Sequence, residues 1–346
     1  PTSGTADIVT SYQLITNRTF DSDANVKDQM VLNYLERGGV LLDIQEIRNE
    51  LFTSRGDVID QKVATYSLKE GLTDYNSSLS LAEQADILDV KVIHNDNIDS
   101  LGNAYSTTIA KYAQGYVDGQ GYIQYSNLMD VTVISATNQV RTDFDLRGNA
   151  INQTVKRYSD IDKTSLIETQ VITNQPYTFM DRATHSSITT TNSTGGFVDR
   201  QEIDYIAYRS DGNVVDQTIR RYDETDLLID YKVIHNDYDH ELAARRGNAT
   251  HTTITRYSSD TVLDAATLIE TQQIYNDPST IDSRGNIVDQ RIELWVDAKM
   301  SRQTYIHNSN ISNLGNASNQ EITTAIYNPT SGTADIVTSY QLITNR

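Results

Sequence analysis

Six histidines and one acidic run hold most of the reactive potential of this sequence. A histidine becomes a general base, a general acid or a metal ligand when it converges with carboxylates or other histidines. Here they are spread differently. His94, His235 and His307 each directly follow an isoleucine of a recurring pattern, and His185 and His251 each stand four residues after a recurring start. Only His240 lies outside that register, so the histidines read as scaffold positions. The acidic run is Asp21, Asp23, Asn25 and Asp28 in DSDANVKD, whose alternating oxygens resemble the opening of a calcium loop. The glycine and closing glutamate of an EF-hand loop are missing, and a polar turn entering a strand is the simpler expectation. Weak Ca2+ binding is the one cofactor left open. Cysteine is absent, which removes disulfides, thiolate metal sites and a Cys nucleophile. With no nucleophile elbow, phosphate loop or His-Glu-x-x-His run, no enzymatic activity is expected.

The elements that must carry these residues are strands. Residues 212–236, GNVVDQTIRRYDETDLLIDYKVIHN, read as a β-hairpin: a first arm from Gly212 to Tyr222, a turn of Asp223, Glu224, Thr225 and Asp226, and a second arm to Asn236. The unit recurs nine times, with first arms starting at Ala24, Gly56, Gly102, Gly148, Asp181, Gly212, Gly247, Gly285 and Gly315. Seven residues after each start stands Val or Ile, among them Val31, Val63, Ile219 and Ile292. Five residues after it stands Gln29, Gln61, Gln153, Gln217, Gln290 or Gln320, or else Thr or Ser. Second arms centre on isoleucines such as Ile47, Ile93 and Ile234, usually with Gln two residues earlier and Asn two later. Because side chains alternate with a period of two, Gln and Ile share a face. A structural ladder is expected there, built of Gln29, Gln61, Gln153, Gln217 and Gln290 with Val63, Ile219, Ile234 and Ile292, its amides bonding along the sheet. On that basis a charge at Ile219 is expected to disrupt the sheet and one at Thr218 to be tolerated.

Connector lengths select the architecture. From a second-arm Ile to the next first-arm Val or Ile the spacing is 16 in six of nine cases, whereas the other connections vary. Such alternation belongs to an antiparallel meander, whose turns fall on opposite edges in succession. The fold class expected is therefore all-β: tandem antiparallel β-hairpins in a long meander that curls into a spiral, tube or solenoid-like fibre, since twist accumulates in an open sheet. Long connections are expected at 67–87, 113–128, 258–268 and 328–337, the first with a short helix in 78–88 capped by Ser78 or Ser80. Any ligand contacts are expected on those loops.

Residues 1–18 recur unchanged at 329–346, an offset of 328 residues. Folding alone does not demand such identity, so the whole sequence reads as one repeat array inside a larger 328-residue super-repeat. A chain starting at Pro1 without Met is expected to be a fragment or a processed product. Net charge is −19, which opposes phosphate backbones, so no nucleic acid is expected as partner. No stretch reaches the length of a membrane span. Asn-x-Ser/Thr at Asn17, Asn76, Asn152, Asn192, Asn248, Asn310 and Asn316 permits glycans.

Gly-Asn followed by a Tyr-terminated strand, as in GNAINQTVKRYS (148–159) and GNVVDQTIRRYD (212–223), resembles the tyrosine-aspartate repeats of Rhs-type proteins. Tyr222 and Asp223 supply that pair in register, while the Gly-Arg-Leu element of the family is absent. The resemblance implies a ribbon of hairpins wound into a hollow β-shell of a secreted toxin or surface protein. The high-identity repetition is also similar to giant tandem-repeat surface and fibre proteins. The expected function is a structural block of an extracellular or cell-surface filament, tube or sheath, partnered by itself through β-strand pairing. The alternative is a stalk or shell of an adhesin or toxin.

Overall fold

The computed structural model describes residues 12–34, 39–69, 71–118, 122–282, 285–311, 317–328 and 333–344. Residues 1–11, 329–332 and 345–346 of the duplicated segment, and the ninth start Gly315 with Asn316, lie outside the described residues. The chain is all-β, and its described residues form nineteen strands in one open antiparallel sheet. It divides into two compact units, residues 1–173 with 190–196 and residues 174–189 with 197–346.

In the first unit the strands are β1 (Tyr12–Phe20), β2 (Val26–Tyr34), β3 (Leu41–Phe52), β4 (Val58–Leu68), β5 (Ala85–Ile98), β6 (Ala104–Val117), β7 (Ile123–Ala136), β8 (Asn152–Tyr158) and β9 (Leu166–Asn174). Each pairs antiparallel with the next. The β-branched Val and Ile spaced through these segments favour the pleated conformation, and polar turns with left-handed residues separate them. One helical turn, α1 (Leu81–Gln84), precedes β5, and Ser80 donates from its N–H and Oγ to Glu83 Oε2 at 2.8 and 2.7 Å. Of the rest of the expected helix, 78–80 form a turn and 85–88 are strand.

The core of this unit lies on the face opposite the Gln/Ile face. It comprises Met30, Leu32, Tyr34, Leu41, Ile44, Ala64, Tyr66, Ala85, Val90 and Ile123. Ile44 and Val90 are fully buried, and each such side chain contributes about 1.5–3 kcal/mol. Glu46 is buried in the same layer, where Arg18 Nη2 and Arg48 Nη2 reach Oε1 at 2.5 and 3.3 Å and Tyr66 Oη donates to Oε2 at 2.8 Å. Burial pushes the Glu46 carboxyl up, but the bonds from Arg18 and Tyr66 and the charge of Arg48 outweigh it and hold it below the usual range.

β10 (His185–Asn192) divides between the units. The second unit holds β11 (Phe197–Tyr208), β12 (Val214–Tyr222), β13 (Leu228–Asp237), α2 (Glu241–Arg245), β14 (His251–Tyr257), β15 (Leu268–Asn276), β16 (Asp289–Val296), β17 (Lys299–Ile311), β18 (Ala317–Asn328) and β19 (Thr333–Thr344). Here polar pairs take over much of the layer filled by apolar residues in the first unit. Arg220 bonds Asp204 and Asp260 at 2.6 and 3.1 Å and lies over the Tyr231 ring. Asp230, nearly inaccessible, lies 3.0 Å from Arg256 and 3.3 Å from Arg221. Thr218 is 6% exposed, whereas Ile219 is only half-buried. Thr218 is thus the more covered of the two, which is the opposite of the facing expected and argues against tolerance of a charge there. No helix among the described residues is long and apolar enough to cross a membrane.

Candidate functional site

Two registers alternate along the sheet. Within a hairpin, first-arm Gln faces second-arm Ile and first-arm Val or Ile faces second-arm Gln, as in Gln29 opposite Ile47 and Val31 opposite Gln45. Between hairpins like meets like. Val63 faces Ile47, Ile219 faces Ile203, Ile234 faces Ile254 and Ile292 faces Ile274. At the same junctions the second-arm Asn faces the next first-arm Gln or Thr.

That Asn forms a bridge. Asn49 accepts Gln61 Nε2 on Oδ1 at 2.8 Å and donates Nδ2 to the Val26 carbonyl at 2.8 Å. Asn276 does the same with Gln290 (2.8 Å) and the Ala249 carbonyl (2.6 Å), and Asn308 with Gln320 and the Ile287 carbonyl. In Asn95 and Asn236 the donor is Thr107 or Thr252. Gln29 bonds Asn17 at 2.7 Å. In Asn49, Asn95, Asn236, Asn276 and Asn308 the bridge joins two strands and donates to a carbonyl that opens, or lies just before, the preceding first arm. The amides thus bond to Asn rather than stacking on one another. Gln153 and Gln217 face Ala136 and Tyr205 instead of Asn, and neither has a side-chain hydrogen bond among the described residues.

Three of the six histidines share one position, and His240, outside the strands, caps α2 by accepting the Ala243 N–H on its Nδ1. Asp60, Asp216 and Asp289 stand opposite His94, His235 and His307, and each Oδ1 lies 2.6 Å from the imidazole Nδ1. In the first hairpin the pair is Asp28 with Arg48, at 2.5 Å. The pair is reversed as His185 with Asp204, at 2.7 Å, and becomes a stack of His251 on Tyr275 elsewhere. Complementarity persists while the residues change, which is cross-strand pairing at a sheet margin. The hydrogen bond that His235 Nδ1–H donates to Asp216 has the largest effect on the His235 pKa and raises it; burial, next in size, lowers it, and Asp237 raises it further, for a net rise. Among the described residues no three His, Asp or Glu side chains converge to hold a metal.

The calcium candidates separate. Asp21 Oδ1 accepts the N–H groups of Asp23 and Asn25, and its Oδ2 accepts Asn25 Nδ2 at 2.9 Å. Asp28 lies along β2 with Arg18 and Arg48. Asp21 belongs to a turn motif, Asp-x-x-Gly/Ala-Asn, repeated by Asp99 with Asn103, Asp145 with Asn149 and Asp282 with Asn286. The bond from Asn25 or Asn149 is the main reason the Asp21 and Asp145 carboxyls lie below the usual range. Successive turns touch: a Cβ on Gly148 would lie 2.8 Å from Asn103 Oδ1, and one on Gly56 would lie 2.5 Å from Asn25 Oδ1. The repeated glycine thus answers both a left-handed φ and the approach of the preceding turn. The spacing of Asp four residues before Asn was the signal available in sequence.

Strand extends into two of the expected loops. β6 runs to Val117 and β7 begins at Ile123, with Gly115 opposite Tyr125, and β18 and β19 leave only a short connection. The connection before β5 is organised by buried Gln84, whose Nε2 reaches the Asn76, Leu79 and Ser80 carbonyls. Of the permitted glycan positions, Asn17, Asn76, Asn152 and Asn192 use Oδ1 in hydrogen bonds within the fold.

No family profile and no curated protein matches the chain. Among solved structures it is similar to the TcdB2-TccC3-Cdc42 crystal structure (10% identity, TM-score 0.19, covering 92% of this chain and 19% of that chain). It is also similar to TcdB2-TccC3 (11% identity, TM-score 0.19, 96% and 20%) and, at TM-score 0.13, to a Photorhabdus luminescens Tc holotoxin pore. The chain spans about a fifth of the length of those chains. At such TM-scores the functional reading rests on the chain's own geometry.

Proposed function

We propose that this chain is a structural block of an extracellular filament, tube or sheath whose sheet continues from block to block by strand pairing, with no catalytic role. One observation carries the reading. Tyr340–Thr344 of β19 repeat Tyr12–Thr16 of β1, yet the two copies use opposite edges. β19 holds the register of a hairpin, with Ile343 opposite Gln320 and Gln341 opposite Ile322. β1 holds the register of a junction, with Ile15 opposite Val31 and Asn17 opposite Gln29. An internal second arm such as β3 uses both at once, with Ile47 between Gln29 and Val63. A β19 followed by another β2 therefore recreates a normal internal junction, and the sheet can propagate with one 328-residue block as its period.

A second reading, a hollow shell of a secreted toxin or surface protein, draws on the Gly-Asn and Tyr222-Asp223 resemblance. Electron microscopy of the native, unconcentrated material separates the two. Long filaments with an axial repeat of one block support the structural reading. Discrete closed particles overturn it in favour of the shell.

A further inference from the structure

The second unit carries a cavity of about 530 Å³ on one face of β14 to β18, within the range of small-molecule sites, about 300–1,000 Å³. A row of side chains crosses its floor: His251, Tyr275, Arg291, Tyr305 and Thr323, each directly opposite the next in the strand registers. The row is stacked. The His251 ring lies parallel to Tyr275 at 4.5 Å, and the Arg291 guanidinium covers the other side of Tyr275 at 4.3 Å. Tyr305, next in the row, is 47% exposed. A parallel row holds Asp289, bonded to His307, with exposed Glu321 opposite His307 on the next strand.

The wall chemistry narrows the ligand. Four carboxylates, Asp239, Asp277, Asp289 and Glu321, outnumber the single guanidinium, so an anion such as a phosphate or a uronate is disfavoured. A simple cation would use the carboxylates but meet Arg291. A ligand with hydroxyls that both donate and accept, and with one apolar face to lay on an exposed ring, satisfies both sets of groups. We infer that this cavity binds a neutral pyranose, stacked on Tyr305, with hydroxyls bonded to Glu321 and Arg291. The inference does not depend on block assembly.

Saturation-transfer NMR on the full chain tests it, with methyl glucoside, methyl galactoside, N-acetylglucosamine and maltotriose as probes and Nα-acetyl-lysine amide as a cationic control. At least one sugar is expected to receive transfer at millimolar concentration. Tyr305→Ala is expected to weaken that binding by up to about tenfold, the value of one aromatic contact. Glu321→Gln, which keeps shape and removes charge, is expected to weaken sugar binding less than Tyr305→Ala does. Circular dichroism melts of both variants show whether the fold is kept. No transfer to any sugar, transfer unchanged by a folded Tyr305→Ala, or transfer to the lysine amide alone would overturn the inference.

Discussion

Gln61 donates its side-chain amide to Asn49 Oδ1 across 2.8 Å, and Asn49 passes the link to the Val26 carbonyl. The bridge joins one hairpin to the next and donates to the carbonyl that opens the preceding first arm. Its repetition by Asn95, Asn236, Asn276 and Asn308 gives the sheet a polar fastening with the period of the hairpins.

Asn276 is the most buried of these bridges. Asn276→Ala leaves the Ala249 carbonyl and the Gln290 amide without their partner, which costs about 1–3 kcal/mol. Gln217→Ala, at a position facing Tyr205, should change stability by only a few tenths of a kcal/mol, about the scale of ordinary surface substitutions. Urea denaturation of both variants checks the contrast; equal midpoints would remove the bridge from the account.

Thr218→Asp places a carboxylate at a site 6% exposed and directly opposite Asp204. A buried charge beside a like charge should destabilise the hairpin by roughly 1–3 kcal/mol or more. Ile219→Asp should be harmful as well. A melting temperature for Thr218→Asp equal to that of the parent chain would contradict the placement of both faces.

Gly148 has φ of 92°, and an added Cβ would meet Asn103 Oδ1 at 2.8 Å. Gly148→Ala should cost of order 1–3 kcal/mol from backbone strain, with the crowded turn adding to it. Gly71, with φ of 86° and open space around it, carries the strain alone. Paired thermal melts should rank Gly148→Ala below Gly71→Ala, and the reverse order would dismiss the stacked turns.

The raised pKa of His235 gives a pH dependence of definite sign. Its pairing with Asp216 and Asp237 is fully present below the unfolded value of about 6.5 and is lost as pH rises through the higher folded value. The ring is half exposed, so solvent screens the gain and the effect is small. On the acid side Glu46 works oppositely: its lowered pKa contributes stability above the unfolded value of about 4.3 that is lost as pH falls through the folded value. An NMR titration of His235, and melts of Glu46→Gln against the parent below pH 4, check the two signs.

The hairpin repeat was legible because its markers are local: glycine at a left-handed turn, Val or Ile at fixed spacing, Asn closing the second arm. The core face was not. Positions six and eight residues after a start are Met30 and Leu32 in one hairpin but Thr218 and Arg220 in another, so alternation alone could not say which face was covered. Gln114, Gly115 and Tyr116 looked like a loop because glycine weakens a strand signal, yet pairing with β7 carries β6 through them. The Asn bridges needed the register, which follows from turn lengths and tertiary contact rather than from any one strand.

The central claim is that β19 of one block takes the place that β1 holds beside β2. Cryo-electron microscopy of the native assembly at side-chain resolution tests it at the block junction. The account requires one strand with the Tyr340–Thr344 sequence paired on both edges, Ile343 facing Gln320 on one side and Val31 of the next block on the other. A junction strand with one edge bare, or with Ile343 set against any other residue of the next block, would contradict it.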